Sequence, residues 1–165
     1  MDASAISQII FLIILLILSA FFSSAETALT TVNKIRMRTL ADDGNKRAER
    51  VLRITDDSHK MLSAILIGNN IVNLSASSLA TTLAIKLWGS VGAGIATGIL
   101  TFLILVFGEI SPKTFATLYA DQISIAYSGI IGFLMKILTP VIFLVNQFSM
   151  GFLFLLHMDP KANNN

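Results

Sequence analysis

The stretch Leu105–Thr114, LVFGEISPKT, places a glutamate, a proline and a lysine at the end of a long apolar run. Pro112 has no amide hydrogen, so in a regular α-helix the carbonyl of Gly108 would lose its partner. That carbonyl needs another partner where water is excluded, and a buried Glu109 would need a cation or a proton. A bound cation would satisfy both groups. The alternative is that Pro112 ends the helix while Glu109 pairs with Lys113 on the same face.

The composition of the chain indicates a membrane protein. Its 165 residues are 54% hydrophobic and 13% charged, with a mean hydropathy of +0.74, whereas soluble domains carry about 25% charged residues. A membrane-spanning helix needs about 20 largely apolar residues. Uncharged stretches of that order predict three or four crossings, at residues 3–25, 61–85, 87–108 and 137–156. The first has no basic residue before Lys34, so it is interpreted as a retained span and not as a signal peptide.

The basic residues predict the topology. Eight of the twelve lie between Thr30 and Lys60, so this loop is expected to be cytoplasmic, with the N-terminus outside and the C-terminus inside. Apolar positions near helical spacing on both sides of DDGN, residues 42–45, predict a short cytoplasmic helical hairpin near the membrane surface. Asp57 and Ser58 are N-cap candidates for the second long helix.

The second half of the chain predicts one clear span and one ambiguous region. The third spanning helix is expected over Val91–Glu109, after a glycine-rich reversal. Beyond it, charged residues and a proline interrupt the apolar sequence, which favours two shorter helices in the membrane interface, broken near residues 136–140. A fourth span over Ile137–Leu156 is the alternative. Residues 157–165 are polar and are expected to begin a linker.

Two polar stripes lie inside the apolar sequence. One face of the first span carries Ser19, Ser23, Glu26, Thr27 and Thr30. These hydroxyls could line a site, or they could bond back to their own helix, with residues 23–26 as a capping box that restarts it.

The second span carries the other stripe, with Asn70 beside it, at positions Asn69, Asn73, Ser77 and Thr81. Three asparagines within five residues favour a polar cavity, and interhelical hydrogen bonding is the alternative.

Counting oxygen atoms makes the cation hypothesis concrete. Six come from the side chains of Ser19, Ser23, Asn69, Asn73 and Glu109 and from the carbonyl of Gly108. Magnesium prefers six oxygens in an octahedron at about 2.0–2.1 Å, and sodium would also accept such a set. Zinc and copper are disfavoured because the chain has no cysteine and only two histidines, both near predicted helix ends.

Three segments, LSAFFSSAETALTTV (18–32), LIGNNIVN (66–73) and VFGEISPKT (106–114), together resemble the transmembrane domain of the CorC/CNNM (cyclin M) magnesium transporters. The resemblance implies an all-α membrane protein: a homodimer with three transmembrane helices per protomer and a belt of juxtamembrane helices. It also implies an inward-facing acidic cavity that binds dehydrated magnesium, and sodium-coupled export in bacterial members.

The matching motifs carry the family's metal-binding residues to six positions of this chain. These are the paired serines, the asparagines of the second motif and the GE pair of the third, at Ser19, Ser23, Asn69, Asn73, Gly108 and Glu109. Secondary candidates beside them are Glu26, Asn70, Pro112 and Lys113. The resemblance assigns residues 1–156 to the transmembrane domain and 157–165 to the start of a linker toward cytosolic CBS domains, which bind nucleotide in the family.

The expected function is therefore magnesium export across the cell (inner) membrane, in exchange for sodium. The alternative, from another class, is an ion-binding membrane anchor or sensor that regulates a partner protein. An enzyme is not expected, because no nucleophile and base pair stands out beside Glu109. A net charge of +2 is too small to indicate a nucleic-acid partner.

Overall fold

The protein is described by a computed structural model that covers residues 3–156. Those residues form helices only, with no strand among them, which confirms the predicted all-α membrane fold. The α-helices, with one π-helical segment (Ile104–Ile110) between α5 and α6, are α1 (Ala3–Thr31), α2 (Lys34–Asp42), α3 (Lys46–Asp56), α4 (Ser58–Trp88), α5 (Ser90–Leu103), α6 (Ser111–Leu118), α7 (Ala120–Ile137) and α8 (Thr139–Leu155).

Three helical units are long and apolar enough to cross a membrane: α1, α4 and the continuous run Ser90–Leu118. Helix α1 is central, because it contacts α4, the π segment, α6 and α7. Helices α1 and α4 are antiparallel: Lys86 Nζ donates to Ser4 Oγ over 3.4 Å at one end, and Phe22 lies against Gly68 further along. Large apolar side chains on the outer faces of these helices are exposed, which suits contact with lipid.

Helix α1 is longer than the apolar stretch that predicted it. It continues through Glu26 to Thr31, so the interpretation of residues 23–26 as a capping box that restarts the helix was wrong. The hydroxyls of Thr30 and Thr31 donate to carbonyls one turn earlier, at 2.8 and 2.7 Å. The chain leaves the helix at Asn33, whose side chain accepts from the amide of Arg36 and caps α2.

The predicted helical hairpin is present as α2 and α3. Asn45, at the end of the predicted turn, caps α3 by accepting from two backbone amides. Asp57 caps α4, as predicted, and Ser58 is that helix's first residue. The hairpin buries Ala48, Val51 and Ile54 of α3, and α3 packs on α7.

The third span does not end at Glu109, and the alternative in which Pro112 ends it was also wrong. The amide of Ser111 donates to the carbonyl of Val106, five residues earlier, which is the π-helical register. This shift places Pro112 in the first turn of α6, where a missing amide hydrogen is tolerated. In an α-helix the carbonyl that lacks a donor because of Pro112 would be that of Gly108, four residues earlier. If the π register continued to Pro112, it would be the carbonyl of Phe107, five residues earlier.

The region after the third span contains two helices, as predicted. Helices α7 and α8 meet at Leu138 and are bent by 64°. The bent pair would count as a fourth crossing only if it formed one broken span. Its location in the membrane interface stays a prediction, and the predicted linker at residues 157–165 lies outside the described part of the chain.

Candidate functional site

The predicted serines of α1, Ser19 and Ser23, have no hydrogen-bond partners within the part of the chain that the structure describes. Ser19 is 1% exposed and Ser23 is fully buried. Neither hydroxyl has a hydrogen-bond partner within residues 3–156. Buried polar atoms are normally hydrogen bonded, and leaving one without a partner costs about 1–3 kcal/mol. A bound cation coordinated by these oxygens would remove that cost.

The neighbouring Ser24 shows the alternative arrangement. Its hydroxyl donates to the carbonyl of Ala20 at 2.8 Å and lies 3.0 Å from that of Phe21. Bonding back to the helix is therefore available to a serine in this segment. Ser19 and Ser23 do not adopt it, whereas Thr30 of the same predicted stripe does, donating to the carbonyl of Glu26 at 2.8 Å.

Helix α4 supplies a third oxygen without a partner. The side-chain nitrogen of Asn73 donates to Oδ1 of Asn69 over 3.5 Å, at the limit of a hydrogen bond. Its own Oδ1 is buried and has no partner in the described part of the chain. Asn69 is half-buried, whereas Asn70, the secondary candidate, is exposed.

The π segment lies directly against the first serine. A Cβ added to Gly108 would stand 2.9 Å from Ser19 Oγ. A side chain at this position would displace the hydroxyl oxygen of Ser19. Helix α4 approaches from another direction, since the ring of Phe22 would be 2.6 Å from a Cβ at Gly68, the residue before Asn69. Helix α1 therefore connects the two other elements that carry predicted ligands.

Glu109 is paired in the way the alternative interpretation predicted. Lys113 Nζ lies 3.6 Å from Glu109 Oε2, and the two side chains are 45% and 30% exposed. This distance is too long for a strong charge-assisted hydrogen bond, which falls at about 2.7–2.9 Å. The carboxylate is therefore accessible and only loosely held by the lysine.

The remaining candidates differ in exposure and in their places in the helices. Glu26 is half-buried on α1, one turn beyond Ser23, and Pro112 is half-buried at the start of α6. Two further buried oxygens without partners in residues 3–156 were not predicted as site atoms: Gln8 Oε1 and Ser124 Oγ. The signal for Gln8 was a single amide within an apolar run, and Ser124 gave none.

The chemistry of this region is that of oxygen atoms. Across the described residues, no group of three or more histidine, cysteine, aspartate or glutamate side chains could hold a metal. The predicted site offers hydroxyl, amide and backbone oxygens with one carboxylate at its edge. Such ligands suit hard cations such as magnesium, calcium or sodium, and not zinc or copper.

Comparison with known proteins agrees with these features. Residues 10–165 match the family described as the cyclin M (CNNM) transmembrane N-terminal domain. A UPF0053 protein of Haemophilus influenzae is 46% identical over 150 residues, covering 90% of this chain and 36% of that protein. The UPF0053 inner membrane protein YfjD of Escherichia coli is 41% identical over 129 residues, covering 78% and 30%.

The relatives extend beyond bacteria and are much longer than this chain. A chloroplastic DUF21 domain-containing protein of Arabidopsis thaliana, At1g55930, is 39% identical over 156 residues, covering 94% of this chain and 24% of that protein. The chain thus spans about a quarter to a third of these three relatives. The family match covers nearly all of the described helices. This chain belongs to the cyclin M (CNNM) transmembrane domain family, of the CorC/CNNM type to which the UPF0053 proteins also belong.

Proposed function

We propose that this domain binds Mg²⁺ as its transported substrate and exports it across the membrane. The observation that carries the proposal is the set of three buried oxygens without partners in residues 3–156, on Ser19, Ser23 and Asn73. All three belong to the six positions that the sequence motifs predicted. A hard cation would give these oxygens a partner, and Glu109 would supply the negative charge that a dehydrated divalent ion requires.

Lys113 has a defined part in this proposal. A carboxylate without an ion needs a counter-charge, and Lys113 Nζ at 3.6 Å supplies one. When Mg²⁺ binds, Glu109 turns to the ion and the lysine moves toward water, where it is already 45% exposed. The lysine therefore competes with the metal for the carboxylate and is not a ligand.

We propose exchange for sodium as the source of energy for export. Sodium is also a hard cation that takes oxygen ligands, so the same site could hold either ion at different stages. The proposal includes a homodimer in the bilayer, with the N-terminus outside and the C-terminus inside, and cytosolic CBS domains in the full-length protein. The proposed activity is transport and not catalysis.

The direct test is Mg²⁺ titration calorimetry on the purified chain with Glu109→Gln. Glutamine keeps the shape and one oxygen but removes the charge, so we expect magnesium affinity to fall by about tenfold or more. The matched control is Lys113→Gln, which breaks the same ion pair from the other side and leaves the carboxylate. We expect its affinity to be unchanged or higher.

The opposite result would identify a surface ion pair. If Glu109 only pairs with Lys113, that pair contributes at most about 1 kcal/mol, and both variants would bind Mg²⁺ as the unmodified chain does. Near-normal affinity in Glu109→Gln would contradict the proposed site.

A second measurement separates transport from sensing. Proteoliposomes that contain the chain should release Mg²⁺ when a sodium gradient is imposed, and Glu109→Gln should abolish the flux. Magnesium binding without flux, both in this chain and in the full-length protein, would favour the alternative of an ion-binding anchor or sensor. Flux without dependence on sodium would remove only the coupling from the proposal.

A further inference from the structure

A separate cavity of about 460 Å³ lies where α3, the start of α4 and α7 meet. Cavities that bind small molecules measure about 300–1,000 Å³. This one is lined by Arg50 and Arg53 from α3, Lys60 from α4 and Lys136 from α7. None of the polar atoms proposed to bind magnesium contributes to its walls.

The cavity carries an excess of positive charge. Four cationic side chains face one carboxylate, Asp57, whose Oδ1 already accepts the backbone amide of Lys60 as the helix cap. Within the part of the chain that the structure describes, none of the four cations forms an ion pair. An anion in this cavity would therefore be attracted by several positive charges, of which Arg53 also lines a neighbouring cavity with Glu49 and Asp56.

The wall formed by α7 is open because of two glycines. A Cβ added to Gly129 would stand 3.0 Å from the Arg50 guanidinium, which therefore lies close to the helix backbone. At Gly132 the nearest atom to an added Cβ is Ile54 Cγ2, at 3.7 Å. A larger side chain at position 132 would thus fill part of the cavity without removing any charge.

The exposed face of α7 beside the cavity is apolar. Ile130, Phe133 and Ile137 follow helical spacing, and each is more than half exposed, at 53%, 62% and 53%. Phe133 also lines the cavity. A ligand that used both features would combine an anionic group with a hydrocarbon chain, as a phospholipid does.

We propose that this cavity binds the phosphate headgroup of an acidic phospholipid, whose acyl chains lie along Phe133 and Ile137. Arginine side chains suit this role, because the guanidinium can donate two hydrogen bonds to one phosphate. Basic pockets between helices at the cytoplasmic membrane surface are typical sites for anionic lipid headgroups. The binding of this lipid is independent of the proposed magnesium transport.

The test is native mass spectrometry of the purified chain, titrated with phosphatidylglycerol or phosphatidylcholine. The double variant Arg50→Gln/Arg53→Gln removes two charges from the cavity. Its control, Lys46→Gln/Arg47→Gln, removes two exposed charges from the same helix but outside the cavity. Gly132→Leu keeps every charge and fills the space, and it favours the helix, so it decides the question if the double variant fails to fold.

We expect phosphatidylglycerol to bind at least about tenfold more tightly than phosphatidylcholine. The cavity double variant should lose about tenfold more affinity for phosphatidylglycerol than the control, and Gly132→Leu should also weaken binding. Equal losses in both double variants, or no preference for the acidic lipid, would overturn the proposal. Tighter binding of glycerol phosphate than of phosphatidylglycerol would also overturn it, because the occupant would then be a soluble phosphate.

Discussion

The hydroxyls of Ser23 and Ser24 differ in their hydrogen bonding, although both side chains are buried. Ser24 donates to a carbonyl of its own helix at 2.8 Å, whereas Ser23 Oγ has no partner in residues 3–156. A folded chain keeps such an atom at a cost to its stability, and functional sites are where this cost is commonly found. The proposed ion is the compensating partner.

This contrast leads to a prediction for Ser23→Ala. Removing a buried hydroxyl without a partner should raise the free energy of unfolding in EDTA by about 1 kcal/mol, and it should weaken Mg²⁺ binding several-fold. Thermal unfolding in detergent, with and without Mg²⁺, measures both effects, because a ligand stabilises the folded state by an amount that grows with the logarithm of its concentration over its Kd. The stabilisation by Mg²⁺ should therefore be smaller in the variant.

Ser24→Ala is the matched control, one residue away on the same helix. Its hydroxyl already has a partner, so its loss should neither raise stability in EDTA nor change the effect of Mg²⁺. If Ser23→Ala were less stable than the unmodified chain in EDTA, then Ser23 Oγ would have a partner without the ion, which would contradict its proposed role as an ion ligand.

At the scale of elements, the packing of α7 against the junction between α1 and α2 depends on one carboxylate, that of Asp121. Asp121 Oδ1 accepts the backbone amide of Asn33 at 2.9 Å, and Oδ2 pairs with Arg36 at 2.8 Å. In the sequence, Asp121 is one of the charges that interrupt the apolar residues after the third span. In the structure it connects the first turn of α7 to the start of the basic hairpin.

We predict that Asp121→Ala destabilises the folded chain by about 1–2 kcal/mol, because a backbone amide and an arginine lose their acceptor. Arg36 is 62% exposed on its side chain, so the ion pair itself contributes little and most of the loss comes from the amide. Asp121→Asn keeps an acceptor and should lose less. Thermal unfolding of both variants in detergent gives the comparison.

The control for this prediction is Asp42→Ala, at an exposed carboxylate on the hairpin. Its melting temperature should equal that of the unmodified chain. If Asp121→Asn lost as much stability as Asp121→Ala, the charge of Asp121, and not its role as acceptor for the amide, would stabilise this junction.

The helices differ in how well the sequence predicted where they end and break. The long spans and the break at Leu138 followed from hydropathy and from the charges and proline around residues 136–140, which act locally. The end of the third span did not, because the effect of Pro112 depends on the hydrogen-bond register of the preceding turn. A shift to π register at Ile104–Ile110 moves the proline into the start of α6, and the residue pattern carries no signal for that shift.

The candidate site's residues are a prediction from the sequence, and the structure adds which of their oxygens lack a partner in residues 3–156. Motif spacing predicts the serines and asparagines as site residues, since positions three and four apart share a helical face. The close approach of Gly108 to Ser19 depends on the packing of two elements that are distant in sequence. The loose Glu109–Lys113 pair was foreseen as an alternative to the cation site, and the structure contains it beside oxygens that still have no partner in residues 3–156.

At the scale of the whole molecule, the distribution of charge still predicts the orientation. The basic hairpin and the cavity of Arg50 and Lys136 lie at the same end of the bundle, because α3 packs on α7. The opposite end holds the reversal at Gly89, where φ is +78° and a side chain would be strained. Positive residues are retained on the cytoplasmic side, so the hairpin should be inside and the reversal outside.

Cysteine labelling of intact cells tests this orientation without background, because the chain contains no cysteine. Ser90→Cys, next to the reversal but free of its positive φ, should react with an impermeant thiol reagent from outside, whereas Asp43→Cys in the hairpin turn should react only after the membrane is permeabilised.

A third cysteine, Met158→Cys, distinguishes the two arrangements of the last helices. If α7 and α8 lie in the interface, this site should be protected with Asp43→Cys, because an odd number of crossings returns the tail to the inside. If the pair bent by 64° forms a fourth span, the site should label from outside with Ser90→Cys. Labelling of Asp43→Cys from outside, with Ser90→Cys protected, would instead invert the whole molecule and place the acidic-lipid cavity in the wrong leaflet.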